Sequence, residues 1–212
     1  MKKAAFLDRD GTINADRGYV YRKEDFMFLP GAVDGMRRIE KLGYRLIIIT
    51  NQSGIGRGYY TESDYKKLEE WMLRQLKAQE VSVTAVYYCP HHPRAAIQTY
   101  ARICNCRKPG TGLFEQAVRE HHVDMSQSVV IGDKMRDLAI CAGTSAKGFL
   151  IYCGQQQKRA DGIRQLKGGL AEVADILETY EDMDESGYQG KTRASGQAGE
   201  VCLPGYGRGS GP

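Results

Sequence analysis

The chain has 212 residues, of which 42% are hydrophobic and 26% are charged, and these values are typical of one soluble globular domain. Its formal net charge is only +4 and its basic residues are scattered, so we expect no nucleic-acid partner. No apolar stretch approaches the roughly 18–20 residues that cross a bilayer or the roughly 7–15 of a secretory signal, so we expect no membrane association and a cytoplasmic location.

The first predicted element is a short apolar strand, Ala4 to Leu7, which ends in Asp8-Arg9-Asp10-Gly11-Thr12. Open α/β folds bind ligands at the carboxyl edge of the sheet, where these polar residues would lie. In an extended path the side chains of Asp8 and Asp10 leave the backbone on the same side. Such a pair can hold a divalent cation and can divide nucleophilic attack from proton transfer. The alternative is an ordinary surface turn, because Asp and Gly are common in turns.

The next two elements are an amphipathic helix from Ala32 to Leu42 and a buried strand from Arg45 to Ile49. The strand runs into Thr50-Asn51-Gln52-Ser53-Gly54, a segment of hydroxyl, amide and glycine residues that favours phosphate binding. The glycine spacing that follows matches neither G-x-G-x-x-G nor a Walker motif, so we do not predict a nucleotide site.

A second helix is predicted from Thr61 to about Gln79, because Thr61-Glu62-Ser63-Asp64 resembles a capping box. A strand from Val83 to Tyr88 should follow it.

Two pairs of metal-ligating residues come after this strand, Cys89 with His91 and Cys104 with Cys106. Three thiolates and one imidazole form a typical tetrahedral zinc site. Since the protein would supply all four ligands, we expect a structural Zn²⁺ that fixes the loop. His92 could replace His91, and the alternative to a metal site is a set of unrelated buried thiols with a surface histidine.

Two cations, Arg107 and Lys108, follow the last of these cysteines directly and are suited to hold a phosphate. After a helix from Thr111 to His121, a strand from Ser128 to Ile131 brings Asp133 to the same sheet edge. Asp133 would complete a Mg²⁺ site with Asp8 and Asp10, because this ion favours oxygen ligands. Asp137 lies one helical turn later, within reach of the site or of Lys134.

The remaining elements are a helix at 138–143, a strand at 148–152 and a last amphipathic helix at 170–177. Strands alternate with helices throughout, which predicts an α/β fold with a doubly wound, mostly parallel sheet and right-handed crossovers. We therefore predict one folded domain at 1–180. The segment at 181–212 is rich in Gly and poor in aliphatic residues, and we predict that it is disordered.

Four segments together resemble the motifs of the haloacid dehalogenase superfamily of phosphohydrolases: Phe6–Thr12, Thr50–Gly54, Lys108-Pro109 and Ile131–Asp133. The Cys/His segments resemble the zinc-loop branch, which contains D-glycero-D-manno-heptose 1,7-bisphosphate 7-phosphatases and histidinol-phosphate phosphatases. The long segment between His91 and Cys104, the stretch Gly18-Tyr19-Val20 and a size that leaves no room for a large cap domain are more similar to the heptose enzymes.

The resemblance implies a magnesium-dependent phosphomonoesterase, a hydrolase of carbohydrate metabolism that removes the C7 phosphate of a small sugar bisphosphate during activated-heptose and lipopolysaccharide synthesis. It implies Asp8 as nucleophile, Asp10 as acid and then base, and Mg²⁺ held by Asp8, the Asp10 carbonyl and Asp133. The preferred C1 anomer stays open, and histidinol phosphate is the alternative substrate.

The same resemblance implies which residues contact the substrate. Thr50 and Lys108 would bind the transferring phosphate, and Arg107, helped by Lys134, would bind the remote C1 phosphate. Asn51 would also bind the substrate. We expect the enzyme to act as a monomer. A silent binding module is not favoured, because every acidic and basic motif residue is present, and the absence of a basic stripe argues against a repair phosphatase for nucleic-acid ends.

Overall fold

The computed structural model describes residues 1–152 and 162–191. Its strands are β1 Ala4–Leu7, β2 Arg45–Asn51, β3 Val83–Cys89, β4 Val129–Gly132, β5 Lys147–Ile151 and β6 Ile163–Leu166. They form one parallel sheet in the order β3-β2-β1-β4-β5-β6. From β1 the chain adds β2 and then β3 on one side of the sheet, and it then returns to add β4, β5 and β6 on the other side. The direction in which strands are added therefore reverses between β1 and β4. A crevice at the carboxyl ends of these two strands is the expected ligand site of such a sheet.

The α-helices are α1 Ala32–Lys41, α2 Ser53–Gly56, α3 Glu62–Ala78, α4 Gly112–His121 and α5 Gly169–Lys191. Helix α3 begins with the capping box that the sequence predicts: Asp64 donates its backbone N–H to the Thr61 hydroxyl, and the Asp64 carboxylate accepts the Thr61 N–H. Short 3₁₀ helices cover Gln98–Tyr100, Met125–Gln127 and Met135–Gly143.

The central strands β1, β2 and β4 are buried on both faces. Phe6, Ile47 and Ile49 share a cluster with Phe114 of α4 and Leu138. The alternate residues of the same strands, such as Leu7, Ile48 and Ile131, are equally buried and point to the other face. Continuous burial explains why these strands have apolar runs instead of alternating patterns.

The predicted α/β fold is confirmed, with local differences. Strand β6 and the short helix α2 were not expected, and the predicted helix at 138–143 is a 3₁₀ helix that begins at Met135. Of the tail predicted at 181–212, the first part continues α5 to Lys191 and the rest lies outside the described residues. The chain divides into two units, Met1–Glu178 and Thr179–Pro212. Within 1–152 and 162–191, no helix is both long and apolar enough to cross a membrane.

Candidate active site

A cavity of about 350 Å³ lies at the carboxyl ends of β1 and β2. Its walls include all the residues predicted to be catalytic or substrate-binding: Asp8, Asp10, Thr50, Asn51, Arg107, Lys108 and Lys134. The structure thus brings together residues that lie as much as 126 positions apart in the chain, from Asp8 to Lys134. This convergence excludes the alternative that Asp8 to Thr12 form an isolated surface turn.

The centre of the site is a buried ion cluster around Lys108. The Lys108 ammonium donates to Asp8 Oδ1 at 2.6 Å and to the Ile49 carbonyl at 2.7 Å, and it lies 2.9 Å from Asp137 Oδ1. Burial lowers the pKa of Lys108, but Asp8 and Asp137 outweigh this effect and raise it, so the ammonium remains charged. A fixed cation beside Asp8 can offset the charge of a bound phosphate.

Asp8 is held in an unfavourable environment for a carboxylate. Burial raises its pKa to about 7, and the nearby carboxylates of Asp137 and Asp10 act in the same direction, against the attraction of Lys108. Perturbed groups of this kind in a cleft are typical of functional sites.

The Asp10 carboxylate accepts hydrogen bonds from three side chains. The fully buried Arg9 guanidinium donates to both oxygens at 2.8 Å, Asn14 Nδ2 donates to Oδ1 at 3.0 Å, and Gln52 Nε2 donates to Oδ2 at 3.0 Å. These donors fix the orientation of the carboxylate at the cavity wall.

Asn51 makes a contact that the sequence did not indicate. Its Nδ2 donates to the Lys108 carbonyl at 3.1 Å, and its Oδ1 accepts the Lys108 N–H at 3.0 Å. The amide therefore clamps the backbone that carries the Lys108 ammonium, although the residue also lines the cavity.

Three carboxylates of the site could hold a metal ion, since oxygens of Asp8, Asp133 and Asp137 all lie within 4.8 Å of one another. Asp8 and Asp137 also belong to the ion cluster around Lys108. Asp133 Oδ1 is buried and has no hydrogen-bond partner among the described residues, as expected of an atom that awaits a ligand. Asp137 thus joins Asp8 and Asp133, whereas the carboxylate of Asp10, the third predicted ligand residue, is not part of this cluster. It also accepts the Lys134 N–H at 3.0 Å and so starts the 3₁₀ helix.

Gly11 is required for this arrangement. Its backbone is in the left-handed region, with φ of +94°, and a Cβ there would lie 2.4 Å from Asp133 Oδ2. Only glycine allows the segment after β1 to pass so close to the carboxylate that follows β4.

The four predicted zinc ligands converge at a separate point, where Cys89, His91, Cys104 and Cys106 lie within 4.8 Å of one another. The donor pairs recorded in contact are 3.0–3.6 Å apart, close to the roughly 3.6–3.8 Å between donors of one tetrahedral zinc ion. Burial raises the pKa of the Cys89 thiol, so a thiolate there needs a cation to compensate it. His91 belongs to this cluster, whereas His92 Nε2 lies 3.0 Å from Arg57.

The outer wall of the cavity is strongly cationic. Arg57, Arg107, Lys134 and Arg136 line it, and Asp16 is a nearby acid that pairs with Lys134 at 3.1 Å. Burial lowers the pKa of Arg107, and the positive charges of Arg136 and Arg57 add to this effect. Positive charges held this close together repel one another, and a bound anion would reduce this repulsion. The group is therefore well suited to an anionic ligand.

The sequence predicted no role in the site for the Arg9, Tyr60, Arg57 and Arg136 side chains, and it indicated Gln52 only as part of the Thr50–Gly54 segment. The position of Gln52 next to Asn51 was a signal for it, and Arg9 lies between the two predicted aspartates. Tyr60, Arg57 and Arg136 carry no such signal, because only the folded chain turns them toward the cavity.

The model of the family described as "Polynucleotide kinase 3 phosphatase" matches residues 3–161. The D-glycero-beta-D-manno-heptose-1,7-bisphosphate 7-phosphatase of Escherichia coli O6:H1 is 45% identical over 142 residues, which are 67% of this chain and 75% of that protein.

Two solved structures are also similar. One is a HAD-like phosphatase from Mesorhizobium loti, with a TM-score of 0.75, 28% identity, and coverage of 84% of this chain and 87% of that one. The other is the D,D-heptose 1,7-bisphosphate phosphatase of B. bronchiseptica in complex with magnesium and phosphate, with a TM-score of 0.72, 29% identity, and coverage of 84% and 99%.

The order of the strands, the acidic and basic residues at their ends and these similarities agree. The chain therefore belongs to the polynucleotide kinase 3 phosphatase family and, within it, to the D-glycero-D-manno-heptose 1,7-bisphosphate 7-phosphatases with a haloacid dehalogenase-like fold.

Proposed function

We propose that this protein is a phosphomonoesterase that hydrolyses the C7 phosphate of D-glycero-β-D-manno-heptose 1,7-bisphosphate through an aspartyl-phosphate on Asp8. The observation that carries the proposal is the buried pairing of Asp8 with Lys108 inside a cavity whose outer wall is cationic. The names of the relatives support the substrate and its β anomer, and they favour it over histidinol phosphate.

In the first step an oxygen of Asp8 attacks the C7 phosphorus, and the bond from phosphorus to the sugar oxygen breaks. Protonated Asp10 gives its proton to that oxygen, so the sugar leaves as an alcohol. In the second step Asp10 takes a proton from water, which attacks the aspartyl-phosphate and releases inorganic phosphate. Lys108 and the Thr50 hydroxyl hold the phosphoryl oxygens throughout.

Two metal ions fit the donor sets. The hard oxygens of Asp8 and Asp133, with the Asp10 carbonyl, would hold Mg²⁺, and the unpartnered Asp133 Oδ1 supports this assignment. When bound, Mg²⁺ would neutralise charge between the nucleophile and the phosphate. Cys89, His91, Cys104 and Cys106 would hold a structural Zn²⁺. Reduced thiols so close together support a cytoplasmic location.

The remote C1 phosphate would bind to the cationic wall, with Arg107 and Lys134 as its main contacts. One phosphate then lies at Asp8 while the other is held away from the chemistry, so the wall sets which end of the bisphosphate reacts. This chemistry belongs to the synthesis of nucleotide-activated heptose for lipopolysaccharide. The enzyme would act as a monomer.

The test compares phosphate release from the β and α anomers of the heptose bisphosphate and from histidinol phosphate, each with Mg²⁺. We expect the highest kcat/KM for the β anomer and no turnover in Asp8→Asn. The matched control is Asp34→Asn, the same substitution on the exposed face of α1, which should leave kcat/KM unchanged.

A higher kcat/KM for histidinol phosphate would overturn the proposed substrate. Turnover that persists in Asp8→Asn would overturn the proposed nucleophile.

A further inference from the structure

The Gln52 side chain links three parts of the site. Its Nε2 donates to Asp10 Oδ2 at 3.0 Å and to Thr50 Oγ1 at 2.9 Å, and its Oε1 accepts the Tyr60 hydroxyl at 2.6 Å. The side chain is almost completely buried, with 2% exposed. A single amide therefore joins the acid–base carboxylate to the phosphate-binding hydroxyl.

The hydrogen bonds determine which way the amide points. Asp10 Oδ2 also accepts from the Arg9 guanidinium, which can only donate, so this oxygen is an acceptor and must face the NH₂ group of Gln52. The Gln52 oxygen then faces Tyr60, whose hydroxyl donates to it. Burial raises the pKa of Tyr60 far above its usual range, so this hydroxyl keeps its proton.

The fold makes room for Tyr60 at this position. A Cβ on Gly54 would lie 2.1 Å from Tyr60 Cε1, so the ring occupies the place of a missing side chain. Tyr21 stacks on this ring, with the centroids 4.9 Å apart and an angle of 11° between the planes. Tyr60 packs against both Gly54 and Tyr21 and is only 5% exposed.

This arrangement has consequences for Thr50 and Asp10. Because the Thr50 oxygen accepts a hydrogen from Gln52, its own hydroxyl hydrogen is directed elsewhere and is available to a phosphate oxygen in the cavity. Asp10 is held by the same NH₂ group, so the position of the carboxylate is coupled to that of the phosphate donor.

We propose that Tyr60 and Gln52 are positioning residues, which orient Asp10 for proton transfer and Thr50 for phosphate binding. The proposal rests on the function proposed above and adds two residues to it. Neither residue reacts with the substrate. Tyr60 orients Gln52, and Gln52 orients the two groups that do contact the substrate.

The choice of leaving group separates this role from a purely structural one. A sugar alkoxide is a poor leaving group, so cleavage depends on the proton that Asp10 delivers as the bond to phosphorus breaks. A p-nitrophenolate leaves without a proton. For both substrates kcat/KM reports the steps up to formation of the aspartyl-phosphate, so loss of a positioned acid lowers kcat/KM for the sugar phosphate much more than for p-nitrophenyl phosphate.

The experiment measures kcat/KM for heptose bisphosphate and p-nitrophenyl phosphate in the wild type, Tyr60→Phe and Gln52→Met. We expect Tyr60→Phe to lose about tenfold and Gln52→Met about 10–100-fold on the sugar substrate, with losses at least fivefold smaller on p-nitrophenyl phosphate. The double variant should match Gln52→Met alone, since Tyr60 acts through Gln52.

The matched control is Tyr21→Phe, the same substitution in the ring stacked on Tyr60. The Tyr21 hydroxyl accepts from Arg22 on the exposed side, so both substrates should be unaffected. Thermal unfolding of each variant, followed by circular dichroism, shows whether it is folded.

Equal losses on the two substrates in folded variants, or additive losses in the double variant, would overturn the positioning role. A wild type that hydrolyses neither substrate would instead overturn the proposed function. The two failures are therefore distinguishable.

Discussion

At the scale of single residues, the environment of Asp8 lowers the stability of the folded protein at neutral pH. Its carboxylate is buried next to two other carboxylates, and the Lys108 ammonium compensates them only in part, so its pKa rises to about 7. The folded protein therefore binds a proton at Asp8 that the unfolded chain has already lost, between about pH 4 and pH 7. By linkage, the free energy of unfolding falls as the pH rises through this range.

We predict from this that Asp8→Asn stabilises the metal-free protein at neutral pH. With a chelator present, the Tm of the variant should exceed that of the wild type by several degrees at pH 8, since about 1 kcal/mol shifts Tm by roughly 2–4 °C in a chain of this size. The difference should shrink toward pH 4, where Asp8 is protonated. Differential scanning calorimetry across this range measures it, and a difference that grows as the pH falls would contradict the assigned cause.

Asn51 gives a second prediction at this scale. Its amide holds the backbone N–H and carbonyl of Lys108, so Asn51→Ala should let the ammonium move away from Asp8. We expect kcat to fall by about 10–100-fold with a small change in KM, because the transition state depends most on that charge.

Steady-state kinetics on the heptose bisphosphate measures both constants. A rise in KM with unchanged kcat would show instead that the amide contacts the substrate, as the resemblance to the family implies.

At the scale of elements, the sequence predicted best those strands that are buried on both faces. Polar residues follow the apolar runs of β1 and β2 directly and that of β4 after Gly132, because the sheet ends where the cavity begins. Strand β6 was missed because it lies at the edge of the sheet and has the mixed sequence Ile-Arg-Gln-Leu. The helix predicted at 138–143 begins earlier, at Met135, and is a 3₁₀ helix, because the Asp137 carboxylate accepts the Lys134 N–H at its start.

The site was predictable where the sequence places a reactive side chain at a strand end, as for Asp8 and Asp133. It was not predictable where function depends on a contact between distant residues. Nothing local indicates that Asn51 clamps Lys108 or that Tyr60 orients Gln52. Asp137 was placed near the site or near Lys134, and the structure gives it both contacts, since it also pairs with Lys108.

The loop from Cys89 to Lys108 leads to a prediction at the scale of elements. Cys106 is a member of the Cys/His cluster, and Arg107 and Lys108 follow it directly, so the cluster fixes the backbone that delivers both cations. Cys106→Ser should lower the zinc content, the Tm and kcat/KM for the heptose bisphosphate together.

The matched control is Cys141→Ser, because this partly buried thiol lies outside the cluster. Zinc is measured by atomic emission on protein purified without added metal. Full activity in a zinc-free Cys106→Ser protein would show that the loop does not need the ion to place Lys108.

At the scale of the whole molecule, the fold brings positive charges together that are scattered along the sequence. The chain carries a formal net charge of only +4, yet the cavity gathers Arg57, Arg107, Lys108, Lys134 and Arg136. These cations surround carboxylates that their charges help to keep ionised. The number of basic residues therefore does not indicate where this protein binds anions. The strand order does, because the cavity lies where the direction of strand addition reverses, between β1 and β4.

The length of chain required for folding is the last property to test. Helix α5 contributes Leu170, Val173, Ala174 and Leu177, each at most 1% exposed, and a Cβ on Gly35 of α1 would lie 2.4 Å from the Leu170 backbone. Burial of each large side chain is worth about 1.5–3 kcal/mol, so losing this face removes a large part of the net stability. A chain that ends at Lys167 should therefore not fold.

A chain that ends at Lys191 keeps this entire face and lacks only 192–212, a segment whose composition cannot bury enough apolar surface to fold by itself. We expect its Tm to lie within about 2 °C of that of the full chain, and its kcat/KM for the heptose bisphosphate to be unchanged. Calorimetry and phosphate release on the three chain lengths make the comparison. A fall of more than about 5 °C in the Tm of the chain ending at Lys191, or a loss of its activity, would mean that the glycine-rich segment contributes to the folded enzyme.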